Sequence, residues 1–300
     1  VQIAVLSSGG GWHVRDLARA ATALGHELLA FSFKRFQAGI VTGPVAGTVA
    51  GTGAAEHLSA DLGAMDRVLV RTMPAGSLEQ VIFRMDVLQR LAARGVPVLN
   101  PPRALEAAVD KYLASWRLEA SDLTVPSTVV CENADDALEH YERLGGDVVV
   151  KPLFGSEGKG ITRVNDPDVA YRVFKTLERL GAVLYLQAFV PHYGHDLRAF
   201  VVGDQVLASM RRHHATDWRT NVARGAHAEC IELSSAQTDL ALRAARAMGA
   251  AVAGVDLLPG RDGKTYIVEV NAVPGWRALA QATRIDVAVE LLRFAQSWNG

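Results

Sequence analysis

The segment VAGVDLLPGRDGKTYIVEVNAVPGW, residues 252–276, decides how the rest of the chain is read. Its first apolar run carries Asp256. The cluster Pro259-Gly260-Arg261-Asp262-Gly263 then turns the chain, and residues 265–271 return as a second run. Apolar runs flanking such a cluster predict a β-hairpin. Side chains alternate along a strand, so Glu269 and Asn271 share a face, and closing the hairpin brings Asp256 towards them. Two carboxylates and an amide oxygen are hard ligands, a set that suits Mg²⁺ retaining waters and nucleotide phosphates. The same pattern fits a surface hairpin with solvated acids, because E-x-N by itself is a weak motif.

The chain has 300 residues, 49% of them hydrophobic, which is enough to bury a sizeable core divided among two or three lobes. Its 31 Lys and Arg residues nearly cancel 32 Asp and Glu, which argues against nucleic acid or a membrane surface as partner. Cys131 and Cys230 show neither CxxC spacing nor a dense framework, which predicts a reduced, cytoplasmic setting. No apolar run approaches the roughly 20 residues of a membrane helix. With no charged leader before the first strand, no signal peptide is expected.

Outward from the hairpin, the N-terminal third alternates strands and helices. Residues 1–6 read as a buried strand, followed by Ser7-Ser8-Gly9-Gly10-Gly11, a periodic helix over about 14–24, and a strand over 27–33. The loop lacks G-x-G-x-x-G spacing and no acid closes the second strand, which argues against a nicotinamide site. Its glycines either let the loop approach a substrate in a cleft or form a tight turn. The Gly, Ala and Thr-rich stretch 37–63 is expected to be irregular. A strand at 67–71, a helix at 77–94 and a strand at 96–100 lead to Pro101-Pro102, where a first lobe ends. Arg71, at a strand end, either faces the crevice at the strand ends or, the reading favoured here, is a surface charge.

A helical stretch at 103–119 contains Asp110-Lys111, and strands follow at 126–131 and 147–151, the latter ending in Val148-Val149-Val150-Lys151. The glycine-rich segment 153–160 then precedes a strand at 161–164. Such a loop between antiparallel strands either folds its amides over a polyphosphate or is a plain hairpin turn. It is not a P-loop, since the spacing is absent and a strand follows. The strand 183–190 (VLYLQAFV) meets Pro191, which closes a second lobe. Strands at 196–202 and 205–212 lead into the polar loop 213–227, which carries Arg219, Asn221 and Arg224. His213, His214 and His227 lack an acid or cysteine at ligand spacing and read as solvated. A helix at 234–248 precedes the hairpin, and helices end the chain. The predicted domains are therefore 1–101, 102–190 and 191–300.

Taken together, Lys111, Lys151 with its glycine loop, the turn at Gln187, the arginine loop and the D…E-x-N hairpin resemble an ATP-grasp ligase of the RimK type. The segments DLRAFVVGDQVLASMRR (196–212), DWRTNVARG (217–225), VAGVDLL (252–258) and VEVNAVPGW (268–276) carry the resemblance, by their order and spacing. It implies an α/β (α+β) chain with the ATP-grasp fold, a Rossmann-like N-terminal domain, and a nucleotide clasped between two antiparallel sheets. Lys111 and Lys151 look like the lysines that hold its phosphates. Gly155, Ser156, Glu157 and Gly158 look like the flap over them, and Gln187, Ala188, Phe189 and Val190 like the hinge at adenine. Ala188 stands where the family usually has an acid. Asp256, Glu269 and Asn271 look like ligands of Mg²⁺ (or Mn²⁺).

The implied reaction is ATP-dependent, ADP-forming joining of a carboxylate to an amine through an acyl phosphate. The resemblance implies Arg224, with Arg211 or Arg198, as the catalytic cations, and Arg219, Asn221, Arg224 and Trp276 as substrate contacts. The expected partners are ATP, L-glutamate and a small coenzyme acceptor, in a homo-oligomer. Trp276 favours the tetrahydromethanopterin or methanofuran branch if it forms an aromatic wall, but it reads equally as a core residue. Glutamylation of a protein or an amino-group carrier, and a non-catalytic ATP-binding regulator, are the alternatives.

Overall fold

Strands buried on both faces read as continuous apolar runs, and Gln2–Ser7 is one: Ile3, Ala4, Val5 and Leu6 are all fully buried. The computed structural model describes residues 1–40, 45–48, 59–155, 160–214, 217–220 and 227–300. It pairs this strand in parallel with Glu27–Ser32 on one side and Arg67–Val70 on the other, and Val98–Leu99 completes an N-terminal sheet. Helix Leu78–Ala93 starts at a Ser77/Gln80 capping box, which supplies partners for two otherwise orphan amides. The stretch 37–63, expected to be irregular, instead holds three short strands, Gln37–Ala38, Val45–Thr48 and Ser59–Asp61, paired antiparallel. Val45 is fully buried, an anchor that the weak periodicity of this stretch conceals.

Two antiparallel sheets follow. The central one runs in the order Thr162–Val164, Val148–Lys151, Leu184–Ala188, Thr128–Cys131. The C-terminal one runs His227–Cys230, Gln205–His213, His195–Val202, Val252–Pro259, Thr265–Asn271. Its last two strands are the hairpin read from the sequence.

The cores are divided differently from the sheets. Val148, Val150, Leu184 and Leu186 pack with Tyr141 and Phe174 into a core confined to the central lobe. The N-terminal and C-terminal sheets share theirs: Ile3, Val5 and Leu17 pack with Phe200, Val252 and Leu291. Ala104, Leu105 and Leu118 likewise join Leu197, Ala245 and Val255, so the helices Pro102–Val109 and Lys111–Glu119 lie with the C-terminal sheet. Asn100 ties the two bodies together. Its buried amide donates to the carbonyls of Val252 and Ala272, both at 2.6 Å, and accepts from the Val252 amide at 2.8 Å. A buried side-chain amide is tolerated because each of these groups is paired. Among the described residues no helix is long and apolar enough to cross a membrane.

Candidate active site

Alternation along the central sheet sends Val148 and Val150 into the core and Val149 and Lys151 to the opposite face, where Tyr185 and Gln187 join them. There Lys151 Nζ donates to Gln187 Oε1 at 2.6 Å. Gln187 is buried, and its Nε2 donates to Thr128 Oγ1 (3.0 Å) and the Tyr185 hydroxyl (3.2 Å). An amide oxygen is a dipole and not a counter-ion, so burial pushes the Lys151 ammonium down to about 8. Lys111 opens its helix behind the N-cap Asp110, and its Nζ donates to the Gly155 carbonyl at 2.8 Å. Burial lowers the Lys111 ammonium too, and the carboxylate of Glu269 opposes that in both lysines. Lys111 thus meets the glycine loop, and both lysines lie within electrostatic reach of Glu269 on the C-terminal sheet. Gly155 has φ +141°, a backbone conformation that a side chain disfavours. Ser156, Glu157 and Gly158 lie outside the described residues.

At the hinge segment the amides of Ala188 and Phe189 are already engaged, by Ser127 O at 2.8 Å and Asp147 O at 2.9 Å. What these two residues offer a purine is therefore their carbonyls. The Phe189 ring is covered by Arg163, 3.5 Å from its centroid, and Trp218 meets it edge-on at 5.8 Å. Neither Arg163 nor Trp218 stood out in the sequence, since each contact crosses between separate elements.

On the C-terminal sheet, Asp256 pairs in register with Glu269 and with Arg198, and Asp196 with Arg212, which puts all five side chains on one face. Arg198 grips Asp256 with two bonds, of 2.6 and 2.7 Å. Arg212 donates to Asp196 at 2.8 Å and reaches Asp256 at 2.7 Å. Thr220 Oγ1 adds a bond of 2.6 Å to Asp196. Burial alone would raise the Asp256 carboxyl, but the two guanidiniums hold it below the usual carboxylate range. Burial prevails at Asp196, whose carboxyl is raised. Glu269 makes no hydrogen bond with the described residues, and Asn271 Oδ1 accepts from the Val273 amide at 2.8 Å. A carboxylate has about four lone-pair sites, so Asp256 keeps one beside its three donors. With the unengaged Glu269 and the second lone pair of Asn271, the donor set fits a divalent cation that prefers oxygen.

Three sequence expectations are corrected here. Arg211 does not face this cluster: it is an exposed side chain on the other face, paired with Glu229 at 3.0 Å, and its neighbour Arg212 takes the inner place. Trp276 forms no open wall, because it is fully buried, with Nε1 donating to Asp16 at 2.9 Å. Arg71 is no surface charge: its guanidinium stacks 4.7 Å from the Trp276 ring, and Nη1 donates to Pro274 O at 2.9 Å. Arg219 is held by Asp217 at 2.8 Å and extends to Ile161 O, 3.4 Å away on the central lobe. Asn221 and Arg224 lie outside the described residues.

Comparison with known proteins agrees with this geometry. Residues 108–295 match the RimK-like ATP-grasp domain. The tetrahydromethanopterin:α-L-glutamate ligase of Methanosarcina acetivorans is 35% identical over 272 residues, 81% of this chain and 83% of that protein. The probable α-L-glutamate ligase 2 of Shewanella frigidimarina is 30% identical over 302 residues, 99% of this chain and 96% of that protein. Among solved structures, the RimK domain ATP-grasp protein of Sphaerobacter thermophilus shares the fold with a TM-score of 0.74 at 24% identity, over 98% of this chain and 99% of that one. The ATP-grasp ligase PsnB, solved with a minimal precursor, Mg and ADP, also reaches 0.74, at 22% identity over 98% of this chain and 96% of that one. With two sheets facing each other across buried lysines and an acidic hairpin, and relatives alike over most of their length, the chain belongs to the RimK-like ATP-grasp family of ligases.

Proposed function

We propose that this protein is an ATP-dependent α-L-glutamate ligase that joins glutamate to a carboxylate of a small coenzyme acceptor of the tetrahydromethanopterin kind. The observation that carries the ligase reading is the seam: the desolvated ammoniums of Lys151 on the central sheet and of Lys111 at its helix start, with Asp256, Glu269 and Asn271 on the C-terminal sheet. Buried cations without carboxylate partners are costly unless an anion joins them, and a polyphosphate supplies several. The acceptor class is supported by relatives named for tetrahydromethanopterin, of which the Methanocaldococcus jannaschii protein is 35% identical over 243 residues. Trp276, being buried, no longer bears on it.

A carboxylate is a poor acyl donor. Transfer of the γ-phosphoryl group of ATP to the acceptor carboxylate gives an acyl phosphate and ADP. The glutamate amine then attacks the acyl carbon, the bond from that carbon to the phosphate oxygen breaks, the nitrogen loses a proton, and amide and phosphate leave. Lys111 and Lys151 hold the nucleotide phosphates as mobile point charges. Arg198, fixed by Asp256, presents a preorganised positive edge to the transferring group. When bound by Glu269, Asn271 and Asp256, Mg²⁺ supplies neutralisation of phosphate charge. Arg219, with Asn221 and Arg224, is the proposed holder of glutamate, since guanidiniums bind carboxylates in a bidentate way.

The test is incubation with ATP, Mg²⁺, each amino acid in turn and tetrahydromethanopterin, reading ADP release and the acceptor's mass. A gain of one glutamyl unit, with ADP release that needs both co-substrates, is expected. A gain on a protein or carrier acceptor alone would overturn the coenzyme class. ATP binding without turnover on any carboxylate would overturn the ligase reading.

A further inference from the structure

The cluster around Trp276 has no task in this chemistry, yet its charges are unbalanced. Arg71 lies 4.7 Å from the Trp276 ring centroid, while Arg277 lies 5.6 Å from that of Trp12, which itself edges Trp276 at 6.4 Å. Neither arginine has a carboxylate partner among the described residues. Asp16, the acid of this cluster, is given to Arg19 at 2.8 Å and to the Trp276 indole at 2.9 Å. Arg71 Nε is buried with no hydrogen-bond partner among the described residues. Burial pushes the Arg71 guanidinium down to about 10, the mark of a cation that lost water without gaining an anion.

A helix starts at the same place. Trp12–Ala23 follows Gly11, which has no side chain to cap with, and its first turn contains no acid. The amides of Trp12 and His13, at the positive end of a 12-residue helix, therefore have no side-chain cap among the described residues. His13 Nε2 accepts from the Trp276 amide at 3.2 Å, so its proton sits on Nδ1 as a further donor. Burial and Arg71 push this imidazole down to about 4, so it is neutral near pH 7.

We propose that Arg71, Arg277, His13 and the start of this helix form an anion subsite, which holds a substrate carboxylate or phosphate other than the carboxylate being activated. The proposal rests on the ligase reading of the adjoining seam. Pro274, whose carbonyl binds Arg71, lies against Gly254, where an added Cβ would stand 3.0 Å from Pro274 Cβ and 3.8 Å from Arg198 Nε. Residues 271–276 run from the proposed cation ligand to Trp276, a path of at most about 18 Å even if fully extended. A molecule that reacts at the seam and is anchored here is small and carries two anionic groups. The second anion comes from the acceptor or from the side chain of glutamate.

Calorimetric titration of this chain with inorganic phosphate, glutarate and L-glutamate tests it, with chloride at matched ionic strength as control. Saturable binding of at least one probe is expected, weakened tenfold or more by Arg71→Met and by Arg277→Met. Affinity for a slowly hydrolysed ATP analogue should stay unchanged in both variants, which shows that they are folded. L-glutamate binding more tightly than glutarate, with the same dependence on Arg71, supports the subsite and assigns it to the amino acid. Tightest binding by phosphate supports it and assigns it to a phosphate-bearing acceptor. A wild-type response equal to chloride, or parental affinities in Arg71→Met, overturns the proposal. Should the wild type bind glutarate but no ATP analogue, the ligase reading falls while the anion site stands.

Discussion

The two sheets that face each other across the seam treat buried charge in opposite ways. On the C-terminal sheet Asp196, Arg198, Arg212 and Asp256 interlock, so that each ion has an opposite ion within hydrogen-bond distance. Among the described residues, Lys151 on the central sheet bonds the amide oxygen of Gln187, and nearby Lys111 bonds the carbonyl of Gly155. The difference separates scaffold from receptor. An interlocked network holds its shape with no ligand present, because its ions neutralise each other. Cations left with dipoles are stable only at a cost, and an incoming anion removes that cost.

The largest effect should come from breaking the interlocked side. Asp256→Asn takes from Arg198 its carboxylate partner and leaves Arg212 with Asp196, so unfolding by denaturant should show a loss of about 3–5 kcal/mol without any nucleotide. If stability is unchanged, the network is not a scaffold and the contrast fails. Next comes Glu269→Gln, at the position paired in register with Asp256 but free of such bonds. Mg²⁺-dependent turnover should fall roughly a hundredfold, as for well-placed electrostatic groups, with the unfolding midpoint nearly unmoved. Parental turnover at limiting Mg²⁺ would remove Glu269 from the cation site.

On the receptor side, Lys151→Met should weaken binding of an ATP analogue by about 1.5–3 kcal/mol, the range for hydrogen bonds to charged groups. Equal affinities in calorimetry would make Lys151 a structural residue. The smallest effect concerns pH. Because the folded-state Lys151 ammonium titrates near 8, below its ordinary value of 10.5, the penalty of burying its charge is full below pH 8. It fades as pH rises towards 10.5, where the unfolded chain also loses the proton. Wild-type stability should therefore gain on Lys151→Met across that window, while nucleotide affinity declines. Parallel stability curves for the two proteins would show that the lysine is not desolvated.

Legibility in the sequence followed the range of the interaction. The hairpin 252–271 could be read because alternation and turn residues are local signals, and they put Asp256, Glu269 and Asn271 on one face. Between Arg211 and Arg212, alternation says that only one faces inward, but choosing it needs the cross-strand partner, Asp196. The stacking of Arg71 on Trp276 joins positions 205 residues apart and leaves no local trace. Helical periodicity in 102–119 shows which face is buried but not what buries it, and the C-terminal sheet proves to be the answer.

Arg219 and Thr220 are consecutive residues fastened to different bodies: Thr220 to Asp196 by a buried bond of 2.6 Å, Arg219 to Ile161 of the central lobe by one of 3.4 Å. One peptide unit thus works as a latch with a strong and a weak jaw. Any displacement of the central lobe from the C-terminal sheet is expected to break the Arg219 contact before the shorter, buried Thr220 bond. Thr220 stays moored to the C-terminal sheet, as does the helix that opens with Lys111, whereas Lys151 belongs to the central lobe.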